Sequence, residues 1–406
     1  MKILIVTTRV PYPPHKGDKL KIYNIVKHLA RNNTVKVLCL SGSRSEEKYL
    51  DGVRALGADI EAVPHSLLKS AIGALIGVFT RRPIQVSLYR SGRLGRRLAE
   101  IASAFDPDVI YFHFIRSAQY IEYVSSVKPV KVLDFTDAVS LYLSRFVETE
   151  RNPVSRWLIK MERDRIAAYE RIAEKYDASF ICSTLDRDYL LGKGIRADFH
   201  ILPNGVDTEL FKGTRRTPDK RRVIFTGNMP YFPNEDAVLY FVSTIFPRVL
   251  REVPDAKLFV VGRRPTRKVR SLASENIIVT GFVDNIVTEY LKSAVAIAPT
   301  RFGAGTLNKV IEPIVLGVPV VATSIAVRGL PSAAQRFVHV ADSPDDFGNG
   351  LVEILKQESL EGGLSENGLE SVRHSLSWER IVADFEEDLR KIVDGSASHN
   401  RQDNRL

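Results

Sequence analysis

The stretch Arg301-Phe302-Gly303-Ala304-Gly305-Thr306-Leu307-Asn308-Lys309-Val310-Ile311-Glu312 sets two cations and a carboxylate around a glycine-containing loop. Backbone amides of such a loop, and of a helix that follows it, can hold phosphate oxygens. Lys309 adds positive charge, and Glu312 can accept hydrogen bonds from hydroxyls. The ligand this suits is a sugar or ribose joined to a phosphate. A βαβ crossover whose glycines only make the turn is the other reading, and loop composition alone leaves both open.

Similar chemistry recurs elsewhere. In Phe225-Thr226-Gly227-Asn228, Gly227 lets the backbone approach a phosphate and Asn228 offers an amide, while Asn234 offers another or caps a helix. Thr280-Gly281-Phe282-Val283 closes a strand with backbone that can meet a nucleobase edge or simply turn. Near the N-terminus, Gly17 permits close approach of a ligand and Asp18 suits a helix cap. His113 ends the strand Asp-Val-Ile-Tyr-Phe-His, where an imidazole can donate to a bound group, move a proton, or serve structure alone. Asp134 and Asp137 follow the next strand, and Asp137 is equally suited to cap a helix. Of two D-x-D strings, Asp106-Pro107-Asp108 precedes its strand and Asp186-Arg187-Asp188 falls inside a helix, so no metal is expected. Neither half carries G-x-G-x-x-G after its first strand, so no dinucleotide cofactor is expected.

The elements that must position these groups alternate between apolar strands and helices, the pattern of an α/β chain with parallel sheets. Expected strands are Lys2–Thr7, Thr34–Leu40, Asp59–Val63, Asp108–His113, Val130–Phe135, Ala178–Ser183 and Phe199–Leu202 in the first half. In the second they are Arg222–Thr226, Lys257–Val261, Ile277–Thr280, Ala294–Pro299, Val318–Ala322 and Phe337–Val340, with a helix over Thr306–Leu316. The signature loop then lies at a strand's carboxyl end, where open α/β sheets bind ligands. At 406 residues the chain exceeds one ordinary core, and Pro203-Asn204-Gly205 marks a junction. The expected layout is two Rossmann-like domains facing one cleft: an acceptor-side domain over 1–205, a donor domain over 206–375, a helix over 376–394 crossing back, and a disordered tail over 395–406.

Cys39 and Cys182 lie in expected strands without metal-ligand spacing and read as core residues. The N-terminal apolar run is too short for a signal peptide, which leads us to expect a cytoplasmic chain. The net charge of +10 is one-sided, with 32 Lys+Arg against 22 Asp+Glu in residues 1–205 and 26 against 26 in the remainder. That field suggests an anionic partner for the first half. The basic residues carry no nucleic-acid motif, so nucleic acid is not expected. His65–Arg82 instead reads as an interfacial helix on the inner face of the cytoplasmic membrane, or as a core helix with solvated arginines. Its apolar run, Ala71–Phe79, falls short of the roughly 20 residues needed to span a bilayer.

Taken in order, PYPPHKGDKLKIYNIVKHLA, DFTDAVS, MERDRIAAYERIAEKYDASFICS, PNGVD, FTGNMPYFPNEDAV and GTLNKVIEPIVLGVPVVAT resemble the GT-B glycosyltransferases of the retaining family 4. Within it they are similar to bacterial sugar transferases associated with exopolysaccharide export. The resemblance covers nearly the whole chain. It implies a nucleotide diphosphate sugar as donor, no cofactor, and a glycan or lipid-linked glycan as acceptor. By position it implies that Glu312 binds the donor ribose and that the amides of Thr306, Leu307 and Asn308 hold the transferred sugar. Lys309 and Arg301 would meet the diphosphate, Gly227 and Asn228 would lie beside it, Val283 would meet the base, and Gly17 would reach the donor phosphate. His113 and Asp137 would complete the catalytic set.

The chain departs from the family in two places. The first of the family's paired glutamates would fall on Ala304, and the Arg and Lys usual after the second domain's first strand are replaced around Asn228 and Asn234. Two alternatives therefore stay open beside sugar transfer: a nucleotide-sugar epimerase of the same fold, and a non-catalytic nucleotide-sugar-binding subunit.

Overall fold

The computed structural model describes residues 1–14, 17–42, 44–150, 152–208, 213–302, 307–357 and 366–403. The chain divides into two compact units, Met1–Pro203 with Ile381–Leu406, and Asn204–Arg380.

The first unit holds a seven-stranded sheet of β1 (Lys2–Thr7), β2 (Thr34–Ser41), β3 (Asp59–Pro64), β4 (Val109–His113), β5 (Val130–Thr136), β6 (Ala178–Ile181) and β7 (Phe199–Ile201), ordered β3-β2-β1-β4-β5-β6-β7. All pairs are parallel. Ile3, Leu4, Ile5 and Val6 are wholly buried, as are Val109, Ile110, Tyr111 and Phe112. Helices cover both faces of a parallel sheet, so both sides of each strand must be apolar, and continuous rather than alternating runs result. The second unit repeats the plan with β8 (Asp219–Thr226), β9 (Lys257–Val261), β10 (Ile277–Gly281), β11 (Ser293–Ala298), β12 (Val320–Ala322) and β13 (Val338–Val340), ordered β10-β9-β8-β11-β12-β13. In each unit the order reverses beside the first strand, between β1 and β4 and between β8 and β11. The loops after β8 and β11, which carry Gly227 and Arg301, thus flank the switch point where a ligand crevice opens.

Local differences from the sequence reading have local causes. The helix after β11 is Asn308–Val315, shorter at both ends than expected. The expected positions Gly303, Ala304 and Thr306 lie outside the described residues. Asp18 stands within the Gly17–Leu29 helix instead of ahead of it. Asn234 also lies inside its helix, Phe232–Tyr240, whose cap position is Tyr231 with proline in the first turn. Asp137 precedes Ala138, the cap position of Val139–Thr149. That helix's first amides are taken by two buried carboxylates from elsewhere in the chain: Asp186 accepts from Ala138 N at 3.3 Å and Glu170 from Ser140 N at 2.9 Å. The last helix runs Trp378–Asp403, past the end expected at residue 394 and into the segment expected to be a disordered tail. Its Phe385 packs edge-on against Phe180 and Tyr111 of the first unit.

Candidate functional site

At the carboxyl ends of β8 and β11 the second unit gathers Gly227, Asn228, Asn234, Asn308, Lys309 and Glu312. Lys309 Nζ donates to Asn234 Oδ1 and lies 4.6 Å from the centre of the Phe225 ring. Asn234 is itself aimed by its Nδ2, which donates to the Asn228 carbonyl at 3.0 Å. Among the described residues no carboxylate forms an ion pair with this lysine, and desolvation lowers its pKa to about 7. A diphosphate arriving there would restore the charged form by pairing with it.

Backbone sterics require glycine at position 262, and the Asn234 side chain favours it at position 227. A Cβ on Gly227 would stand 2.7 Å from the Asn234 amide, and one on Gly262, at the end of β9, would stand 1.7 Å from the Gly227 carbonyl. Two backbone turns and the Asn234 side chain are thereby pressed together beneath the lysine.

Glu312 follows one helical turn after Lys309. Burial raises its pKa to about 7, against the opposing hydrogen bonds from Tyr290 and Asn308. Tyr290 is fully buried, and its hydroxyl also pairs with Thr226 Oγ1 at 2.6 Å. The carboxyl is thus held by Tyr290 of the Ile286–Leu291 helix, itself set by Thr226 at the β8 end, and by Asn308 of its own helix. Held this way, it suits a vicinal diol better than a lone hydroxyl, because both of its oxygens can be aligned in advance. The amides of Asn308 and Lys309 open the helix, where no intrahelical acceptor exists for them. Leu307 occupies the cap position and contributes no side-chain cap.

Arg301, expected to act as a second phosphate cation, is instead paired with Asp236. Its Nε lies 2.9 Å from Asp236 Oδ2 and its Nη2 donates to the other oxygen, while the guanidinium rests 4.7 Å from the centre of the Tyr240 ring. A bidentate carboxylate leaves this fork little charge to offer a ligand. Val283 is half-buried against the core, and the neighbouring Phe282 is an exposed ring with the Arg263 guanidinium 5.1 Å from its centre.

The first unit assembles a different group. Asp134, wholly buried, accepts from Lys21 Nζ at 3.0 Å, Tyr111 OH at 2.6 Å and Thr136 N at 2.8 Å, and stands 3.4 Å from His113 Nδ1. Burial works against its ionisation, but the Lys21 charge and the bonds from His113 and Tyr111 prevail and hold it well below the usual carboxylate range. Lys21 also donates to Cys182 Sγ at 3.3 Å and to the Leu202 carbonyl at 3.1 Å. Its charged form is sustained against desolvation chiefly by Asp134. Asp134 therefore fixes the His113 ring from its Nδ1 side.

Phe114 and Thr136, at the ends of β4 and β5, adopt φ of 74° and 64°. Such backbone is rare for bulky or β-branched residues and gathers at functional sites. Asp137 comes next, with burial and the Asp186 charge raising its pKa to about 7. Gly17 opens its helix in this same unit.

Sequence reasoning singled out Lys309, Glu312 and His113, and with them Asn234, Asn308 and Asp134 that contact them, but not Tyr290, Lys21 or Tyr111. Lys21 carried a signal: it lies on the apolar stripe it shares with Ile25 and Leu29, where a lysine needs a buried partner. Tyr290 carried none, since a tyrosine on an apolar helix face is ordinary core. Among the described residues no cluster of carboxylates, histidines or cysteines is arranged to hold a metal.

The model of the Glycosyltransferase Family 4 matches residues 22–210, and that of Glycosyl transferases group 1 matches residues 220–357. An uncharacterised 44.6 kDa protein in the cps region of Klebsiella pneumoniae is 21% identical, over 94% of this chain and 98% of its own. HepE of Anabaena, solved in complex with UDP-glucose, superposes with a TM-score of 0.67 at 13% identity, over 96% of this chain and 100% of its own. Sucrose-phosphate synthase of Thermosynechococcus elongatus gives the same TM-score and identity, over 97% and 100%. The chain accordingly carries a family 4-like and a group 1 glycosyltransferase domain in tandem, and its fold is GT-B.

Proposed function

We propose that this chain transfers a hexosyl group from a nucleotide diphosphate sugar to a glycan or lipid-linked glycan acceptor, with retention of anomeric configuration and without a metal. The observation that carries the reading is the placement of Lys309 and Glu312 one helical turn apart at the switch point of the second sheet. It joins an under-compensated cation, suited to a diphosphate, to a pre-aligned carboxylate, suited to a ribose. Likeness in fold to a protein solved with UDP-glucose supports a nucleotide-sugar donor. The cps-region relative supports a role in polysaccharide synthesis.

In this reaction Lys309 and the opening amides of its helix stabilise charge as it builds on the leaving diphosphate. The acceptor hydroxyl attacks from the face the nucleotide leaves, and the departing phosphate oxygen takes its proton. His113, with its ring set by Asp134, donates a hydrogen bond in the reaction, and Asp137 supplies a carboxyl that titrates near neutrality. Release of nucleoside diphosphate from a panel of nucleotide sugars is the test. The reading expects release that depends on an added acceptor. Isomerisation of the donor sugar without acceptor would establish the epimerase, and binding without turnover under every acceptor would establish the non-catalytic subunit.

A further inference from the structure

The Leu67–Phe79 helix is mounted inside out. Gly73 and Gly77 face the protein, where an added Cβ would stand 2.3 Å from the Ser87 carbonyl and 3.0 Å from the Ser87 side chain. Its large side chains face away: Leu68 is 70% exposed and Phe79 83%, with Ile72, Leu75, Ile76 and Val78 exposed beside them. An apolar helix in a water-soluble unit normally turns this face to the core.

A second element extends the same surface. Val154, Trp157 and Leu158 project from the start of the Pro153–Tyr169 helix, with Trp157 62% exposed. Arg165 ties this helix to the end of the first, and Glu162 ties it to the short Ile84–Ser87 helix that follows. Arg165 donates to the Gly77 and Val78 carbonyls at 2.9 and 3.0 Å, and Glu162 accepts from Ile84 N and Gln85 N at 3.0 and 3.2 Å. Arg81, just past the end of the first helix, borders one groove of about 460 Å³ with Trp157, Lys160, Met161, Asp164 and Arg165 of the second, so the end of the first helix adjoins the second.

Charge identifies the occupant. Residues 65–82 and 152–161 contain Lys69, Arg81, Arg82, Arg156 and Lys160 and no Asp or Glu. All five cations are exposed. Leu, Phe and Trp side chains beside five exposed cations, with Asp164 facing Arg81, Lys160 and Arg165 in the groove, match the interface of an anionic bilayer, where the apolar groups enter the acyl boundary and the cations meet phosphates.

We propose that these two helices form one docking platform for an anionic membrane surface, with Phe79 and Trp157 as the inserting side chains. The proposal is independent of the donor-site reading.

The chain supplies its own probe. It has two tryptophans, and Trp378 is 2% exposed, so a change in emission on docking comes from Trp157. The full chain is mixed with vesicles of phosphatidylcholine alone or with phosphatidylglycerol, and emission and co-sedimentation are followed as salt is raised. The platform predicts a blue shift and sedimentation only with the anionic vesicles, both weakened by salt. A Leu75→Ser, Phe79→Ser double variant, altered only at exposed positions, should lose about tenfold or more in vesicle affinity. Absence of a shift, or equal binding to both vesicles, would overturn the proposal. A blue shift on concentrating the protein without lipid, with doubled mass in sedimentation, would also overturn it by assigning the surface to a second copy. Titration of UDP into the same sample is read separately, so either reading can fail without the other.

Discussion

Glu312 and Lys309 bring two titrations to one site, and their signs are opposite. Glu312, with its pKa raised to about 7 by burial, carries a charge for the ribose only above that pH, so donor affinity falls as pH drops through 7. Lys309, with its pKa lowered to about 7 by burial, carries a charge for the diphosphate only below that pH, so affinity falls as pH rises through 7. Donor affinity should therefore peak near pH 7, with limbs approaching about tenfold per pH unit. Above the peak, binding should take up a proton at Lys309, measurable by calorimetry in buffers of different ionisation enthalpy. Glu312→Gln should flatten the acid limb and Lys309→Met the alkaline one; a profile unchanged by both would reject the assignment. Tyr290→Phe removes one of the bonds holding Glu312 and should weaken donor binding several-fold, by about 1 kcal/mol, while sugar-independent properties such as vesicle binding stay constant. Lys21→Met leaves Asp134 charged and buried beside Tyr111, and should cost about 3–5 kcal/mol in denaturant unfolding. Glu312 and Lys309 were legible because a carboxylate and a lysine after a glycine loop stand out in any sequence. The pairing of Arg301 with Asp236 was not, because it joins the loop after β11 to the Phe232–Tyr240 helix, whose proximity exists only after folding.

At the scale of elements, all thirteen strands were legible to within three residues, since each is a short apolar run that a covered parallel sheet requires. Helix starts were less so. Asn234 has a cap's chemistry but stands one turn too late, where its amide bridges Asn228 and Lys309 instead. That bridge depends on the two glycines beneath it. Gly262→Ala would set a methyl against the Gly227 carbonyl, and Gly227→Ala would set one against Asn234. The first should destabilise the second unit by about 1–3 kcal/mol, as overpacking does, read as a lowered unfolding midpoint. The second should additionally weaken donor binding through Lys309, and normal donor affinity in a folded Gly227→Ala protein would disconnect that glycine from the site. The Leu67–Phe79 helix shows how far hydrophobicity alone can be read: its composition allowed a core helix or an interfacial one. Only the inward placement of Gly73 and Gly77 separates the two.

For the whole molecule, two units of the same plan divide the chemistry. In the proposed function the second binds phosphate and diol groups at its switch point, while the first carries the histidine network and most of the excess of positive charge. Length and the repeated strand-helix pattern made this division legible. The addition of Lys21 to Tyr111, His113 and Asp134 around one buried charge could not be read, since Lys21 and Asp134 stand 113 positions apart. The central claim is that the second unit holds a nucleotide diphosphate sugar through Glu312 and Lys309. Calorimetric titration of a panel of nucleotide sugars into the full chain and into Glu312→Ala, with matched unfolding curves, tests it most directly. We predict saturable binding of at least one donor at a single site, weakened about tenfold to a hundredfold in the variant, the loss of a hydrogen-bonded charge. No binding by the intact protein, or equal binding by a folded Glu312→Ala protein, would contradict it.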